Sequence, residues 1–176
     1  MLLGLLVFVA IVAAVVWFVA SYNHLVALSQ RVLQTWANID ALLRQRHDEL
    51  PKLVEACGEY MKYEQATLDR VLEARSAVFG ARHAANAEAL GPAETELRGG
   101  LGKLFALAEA YPELKANQSF QLLQQRIGAL ETEIAERRET YNDAVRENNV
   151  ALEQFPGKII AGIGGFRTSR PFTFDV

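Results

Sequence analysis

The residues of this chain with the chemistry to act on a substrate are few: three histidines, one cysteine and a glycine-rich run near the C-terminus. A di-iron site in a helical protein needs Glu three residues before His, so that both side chains share one helix face. The residues three before His24, His47 and His83 are Ser21, Arg44 and Gly80. His47 precedes Asp48 and Glu49 and reads as part of a surface turn at a helix end, with Asp48 as a cap. There is no HExxH helix and no paired CxxC to hold zinc. Cys57 stands alone on an apolar face, the setting of a small core residue. In "GIGGFR", residues 162–167, Arg167 occupies the place of the last glycine of a dinucleotide fingerprint, and no strand precedes it. No GxSxG elbow or phosphate loop is present.

Glu131, Glu133, Glu136, Arg137, Arg138 and Glu139 read as an ion-paired helix face in solvent. Asn142, beside the inward Tyr141, reads as a buried amide that fixes register. An enzyme or ligand-binding bundle would need a polar pocket, and the inward positions offer almost no titratable group to build one. No catalytic residue, cofactor or metal is therefore expected, and the expected protein is not an enzyme.

The elements that carry these residues begin with "LLGLLVFVAIVAAVVWFVA", residues 2–20. Hydrophobic residues make up 51% of the chain, and much of the excess sits in this run, which has no charged side chain. At 1.5 Å per residue it reaches roughly 28 Å, close to the thickness of a hydrocarbon core. Trp17 and Tyr22 fall where interfacial aromatics belong. A cleaved signal would want a basic residue ahead of the run and small residues before the cut. Only Met1 precedes it, Phe18 occupies the −3 position of a cut after Ala20, and no cysteine ends the run as in a lipoprotein. Residues 1–20 are expected to be an uncleaved transmembrane anchor. Arg31, Arg44 and Arg46 follow the span and none precedes it, which places the C-terminal domain in the cytoplasm of a single-pass protein. A lone cysteine agrees with that compartment. Ala10 and Ala14 form a small-xxx-small pair, by itself a poor sign of helix association.

After the anchor, apolar residues recur every three or four positions at Tyr22, Leu25, Val32, Trp36, Ile39 and Leu43, one face of a helix. Nothing signals a stop before Pro51, so anchor and first helix are expected to be one rod ending there. A second helix is predicted from Pro51 to about Phe79, with Val54, Cys57, Met61, Leu68, Val71, Leu72 and Val78 inward. Residues 80–92 end in Gly-Pro and read as a link. A third helix is predicted from about Pro92 to Ala110, its Gly99, Gly100 and Gly102 admitting a neighbouring backbone. "YPELKAN", 111–117, reads as a second link with Asn117 as a cap. A fourth helix, 118–155, carries near-heptad, coiled-coil-like spacing from Phe120 to Phe155. The expected fold is all-α: a transmembrane helix continuous with the first helix of an antiparallel up-down four-helix bundle over residues 21–154.

An even number of alternating rods returns the C-terminal end to the level of the anchor. Residues 155–176, opening with "FPGKIIAGIGGF", are then an apolar, Gly-rich, membrane-proximal tail. The tail carries +2 through Lys158, Arg167 and Arg170 against Asp175, which leaves −5 on the remainder of a chain whose net charge is −3. An acidic body argues against nucleic acid as a partner. Membrane or oligomer contacts are expected at Trp17, Tyr22, Phe155, Lys158, Ile159, Ile160, Ile163, Phe166, Arg167 and Arg170.

"YNHLVALSQRVLQTWANIDALLRQRHDELPKLVEACGEYMKYE", "ARSAV", "EAYPELKANQSFQLLQ", "RRETYNDAVRENN" and "FPGKIIAGIGGF" together resemble the LemA family, in order, over nearly all of the chain after the anchor. Asn148-Asn149 departs from the family's usual Tyr-Asn. The resemblance implies a bacterial membrane protein with an N-terminal anchor and an antiparallel helical domain, and the inner membrane is its expected location. It supplies no catalytic residues. Relatives are associated with membrane organisation, including magnetosome formation, and with membrane proteases or envelope upkeep. The expected function is a membrane-anchored helical scaffold that self-associates and organises or remodels membrane, or recruits partners there. The rival expectation is an accessory subunit bound to another membrane protein, such as a protease.

Overall fold

The computed structural model describes residues 2–83 and 87–173, the side chains of 87 and 88 apart. Six helices follow one another: α1 (Leu2–Gly58), α2 (Gln65–His83), α3 (Ala87–Ala108), α4 (Pro112–Ala116), α5 (Gln118–Glu153) and α6 (Gly157–Gly164). Among the described residues there is no strand. The chain forms two compact units. Unit one is Met1–Trp36 with Thr140–Pro171, and unit two is Ala37–Glu139 with Phe172–Val176.

Unit two takes its core from one stripe per helix. Ile39, Leu43, Leu50, Leu53 and Cys57 of α1 are buried, as are Leu68, Val71, Ala74 and Val78 of α2. Leu90, Leu97, Leu101, Leu104 and Ala108 of α3 are buried too, as are Phe120, Leu123, Ile127, Leu130 and Ile134 of α5. Each stripe advances by threes and fours, the repeat that keeps side chains on one face of a helix. Every fully buried Leu or Ile contributes about 1.5–3 kcal/mol over its exposed state.

Several predicted boundaries move. The first helix does not stop at Pro51 but runs through it to Gly58, and Asp48 lies inside the helix rather than capping it. A proline within a helix has no N–H for the carbonyl four residues earlier, at a cost of about 3 kcal/mol. Here that carbonyl belongs to His47, and Arg75 Nε of α2 donates to it at 2.8 Å. With Leu50 and Leu53 both buried, the orphaned acceptor is satisfied and the stripe continues across the proline. The break falls instead at 59–64, where Tyr60 N and Met61 N both donate to the Cys57 carbonyl.

The predicted link over 80–92 is largely helical. α2 continues to His83, α3 begins at Ala87, and Gly91-Pro92 lies within α3; residues 84–86 are outside the described residues. Gly91 is needed for close approach: a Cβ there would sit 2.3 Å from the Thr173 carbonyl oxygen, where the chain end crosses α3 and buries Phe172. Of the three later glycines only Gly100 faces a neighbour, Val71 of α2; Gly99 and Gly102 meet nothing. The segment 111–117 contains the short α4, with Leu114 buried. Asn117 caps α5 as expected, its Oδ1 accepting from Phe120 N at 3.1 Å.

The interior of unit two also holds charge, against expectation. Arg46 is 1% exposed and Glu94 0%. Arg46 Nη2 donates to both Glu94 carboxylate oxygens at 2.6 and 2.7 Å, and Nη1 donates to Glu131 Oε1 at 2.5 Å. Arg98 Nε lies 3.1 Å from the other Glu131 oxygen. Glu131 therefore faces inward, not into solvent. Burial alone would lower the Arg46 pKa, but the charges of Glu94 and Glu131 outweigh it and hold the guanidinium above its ordinary value. Burial pushes the Glu94 carboxyl up, and Arg46 pulls it back only in part.

A buried ion pair costs desolvation that its Coulomb attraction only partly returns, so it is a weak source of stability but a strong penalty when halved. Arg46→Met is expected to destabilise the protein by about 3–5 kcal/mol, because Glu94 is left charged and unpaired. Adding Glu94→Met should return most of that loss in urea unfolding. A double variant no better than the single one would contradict this account.

Cys57 is buried, and burial pushes its thiol up to about 11. Only thiolate reacts, so a disulfide reagent at neutral pH should label Cys57 in the unfolded chain but not in the native protein. Rapid native labelling would contradict the burial.

Candidate membrane interface

The candidate surface lies within unit one. α1 is long and apolar enough to cross a membrane, and the apolar window within it is wholly exposed. Beyond that window Leu25 turns inward to meet Leu152 of α5 with Ile160 and Ala161 of α6. α1 and α5 run in opposite directions here. Ser29 Oγ donates to Asn148 Oδ1 at 3.3 Å, Arg31 Nη1 meets Glu147 Oε2 at 2.5 Å, and the Trp36 and Tyr141 rings lie 5.4 Å apart.

The glycines of "FPGKIIAGIGGF" have specific work. A Cβ on Gly157 would lie 1.8 Å from the Ala151 carbonyl oxygen, so only glycine lets α6 start this close to the end of α5. Gly165 ends α6 in the left-handed conformation, φ 70°, with its N–H on the Ala161 carbonyl. Helical period then sorts the four apolar residues between. Ile160 and Ala161 face the cluster, and Ile159 and Ile163, one turn apart, face out.

Aromatic contacts fix this short helix against the end of the apolar segment. Phe155 lies 6.0 Å from Trp17, and Phe166 packs edge-on against Tyr22 at 5.5 Å. The chain after α6 is held by α5. Asn149 Nδ2 donates to the Ser169 carbonyl at 2.8 Å, Ser169 N donates back to Asn149 Oδ1 at 2.9 Å, and Tyr141 OH donates to the Arg170 carbonyl at 2.9 Å.

The ten residues expected at a membrane or oligomer contact all belong to unit one. Phe155 and Phe166 lie against Trp17 and Tyr22, Arg170 lies farther along at Tyr141, and Ile160 departs from the expectation. Ile160 is 1% exposed and cannot make such a contact, because its position in the helical period turns it onto Leu25 and Leu152. Phe155, Ile159 and Ile163 are 75%, 57% and 73% exposed. Trp17 and Tyr22 are partly exposed, Phe166 is half-buried, and Lys158, Arg167 and Arg170 are exposed. Under the Phe155 turn lies a cleft of about 390 Å³ lined by Ser21, His24, Leu25, Gln154 and Gly157 among others.

Sequence reasoning missed Asn148 and Asn149. Asn148 is the buried amide facing α1, the part expected of Asn142, and Asn149 clamps the tail. Asn148 lies seven residues after Tyr141 and three after Val145, on the inward stripe, which is a readable signal; for Asn149 there was none. Among the described residues no group of three or more His, Cys, Asp or Glu is placed to hold a metal ion.

Fold and site together define an all-helical protein whose N-terminal helix presents an apolar surface of membrane-spanning length. The LemA family model matches residues 35–176, and the chain belongs to the LemA family. It is similar to the magnetosome proteins MamQ 2 and MamQ 1 of Paramagnetospirillum magneticum. Each is 24% identical over 186 residues, covering 93% of this chain and 68% of the relative. Magnetosome protein MamQ of Magnetospirillum gryphiswaldense is 31% identical over 67 residues, 38% of this chain and 25% of that one. With the apolar helix, this kinship makes the chain a membrane-associated helical protein.

Asn149→Ala should free the tail from α5 without disturbing the helices. The two lost hydrogen bonds cost about 1–3 kcal/mol together. Hydrogen exchange should quicken at the amides of 166–170 and stay unchanged in α5. Unchanged exchange in the tail would show that the aromatic contacts and the Tyr141 hydrogen bond to the Arg170 carbonyl hold it without Asn149.

Proposed function

We propose that this LemA protein is a single-pass, non-enzymatic scaffold of the bacterial inner membrane that self-associates and organises or remodels membrane, or recruits partners at the cytoplasmic face. In this reading residues 2–20 span the bilayer, and the helices of the domain form an antiparallel up-down bundle. One observation carries it. The exposed apolar segment belongs to the same helix, α1, whose Leu25 packs on Leu152, Ile160 and Ala161 within unit one. An anchor that shares its helix with the packing of unit one is held by α5 and α6 rather than by a flexible linker. Such an arrangement suits a protein that works by position rather than by turnover.

The chemistry of the interior points the same way. The most deeply buried charges described in unit two are spent on one another: Arg46 donates to both oxygens of Glu94 and reaches Glu131. A carboxylate held by a guanidinium is a poor general base. Kinship with proteins named for the magnetosome supports a role tied to membrane. Self-association draws support from the exposed apolar residues Leu33, Leu122 and Val150 on the long helices.

Gentle detergent solubilisation followed by native mass measurement tests this. Masses at multiples of 19.5 kDa, with cross-links between copies, are expected. Monomer alone would contradict self-association. A stoichiometric partner of different mass would move the protein to the accessory-subunit reading.

A further inference from the structure

The outward face of α6 has no occupant in the chain itself, and three features say what covers it. The first is place. Phe155 and Phe166 are packed on Trp17 and Tyr22, so α6 lies against α1 at the C-terminal end of its apolar segment. The bilayer surface falls there if residues 2–20 span it. The second is shape. Ile159 and Ile163 project from one side of an eight-residue helix, with Phe155 exposed at its start. An amphipathic helix of this kind beds its apolar side at the boundary between headgroups and acyl chains.

The third feature is charge. From residue 154 to residue 173 the chain has three cations, Lys158, Arg167 and Arg170, and no carboxylate side chain, within a protein of net charge −3. All three cations are exposed. A second copy of this chain would offer these cations a predominantly acidic body but no reason for the apolar face to sit level with Trp17. A leaflet rich in anionic lipid supplies both an apolar bed and negative headgroups at that level.

We infer that α6 and the chain after it form a second membrane contact selective for anionic phospholipid, in which Ile159, Ile163 and Phe155 enter the interface while Lys158, Arg167 and Arg170 meet the headgroup phosphates. The N-terminal anchor supplies attachment regardless of lipid charge; the tail supplies the preference. Ile160, Ala161 and Gly157 stay on the protein side, and Asn149 holds the basic segment beside α5 so that both groups act at once. This inference rests on the anchored reading above, yet the two fail separately. A monomeric protein whose tail still answers to lipid charge would remove self-association alone.

The test places a spin label at Ile163→Cys in a Cys57→Ala background of the full chain, reconstituted in bilayers of phosphatidylcholine with and without phosphatidylglycerol. With phosphatidylglycerol the label should be accessible to oxygen and shielded from an aqueous nickel relaxant. In phosphatidylcholine alone the balance should shift toward water. Lys158→Gln/Arg167→Gln/Arg170→Gln should abolish the difference, lowering tail insertion by about a hundredfold, or about fivefold per cation. A label in water in both lipids would overturn the inference. So would a label equally shielded in both and indifferent to the triple variant; spin–spin broadening would then assign the face to a second copy.

Discussion

The packing of Ile160 and Ala161 onto Leu25 and Leu152 is the contact on which unit one depends. It fixes the rotation of α6 about its own axis, and rotation decides which apolar side chains are left over. With Ile160 and Ala161 both inward, helical geometry sends Ile159 and Ile163 to the opposite side, because residues four apart share a side. Gly157 makes the contact possible by letting the first turn of α6 approach the Ala151 carbonyl. The aromatic pairs with Trp17 and Tyr22 and the Asn149 clamp then secure a placement already decided by a few apolar atoms.

Each unit has a polar device that fixes register. In unit two it is Arg46, which ties α1 to α3 and α5 through Glu94 and Glu131. In unit one it is Asn148, facing Ser29 across α1 and α5, with Asn149 beside it holding the tail. Apolar stripes alone tolerate sliding by a turn, since one leucine substitutes for another. A buried charge or amide does not, because a slip leaves it without a partner. This is how a core composed largely of interchangeable Leu, Ile and Val can specify one pairing.

Much of this was legible in the sequence. The stripe from Leu25 to Leu43, the buried stripe of α5 from Phe120 to Leu152 and the Asn117 cap follow from helical period and capping chemistry. The predicted α5 stripe overran the helix, which ends at Glu153 and leaves Phe155 exposed. The return of the tail to the anchor followed from counting rods; Phe166 against Tyr22 is the observation that corresponds to it. What failed did so for identifiable reasons. Pro51 was read as a stop, but the carbonyl it orphans is rescued by Arg75, twenty-eight residues away in sequence, and no local rule carries that information. Gly91-Pro92 was read as a turn, whereas the glycine serves a tertiary crossing with Thr173. Arg46 and Glu94 were legible in principle. Arg46 continues the stripe Ile39, Leu43, Leu50, and Glu94 continues Leu90, Leu97, Leu101, so a charge at a core position on two helices announces a pair. Asn149 gave no such sign, because an exposed-looking amide does not declare that it will bind a backbone twenty residues later.

The central claim is that one face of α6 belongs to the protein and the other to the lipid. Solid-state NMR of the full chain in bilayers, with selectively labelled isoleucine methyl groups, measures it most directly. Magnetisation transfer from lipid acyl chains should reach Ile159 and Ile163 and leave Ile160 silent. Transfer to Ile160 as strong as to its neighbours, or to none of the three, would contradict the account.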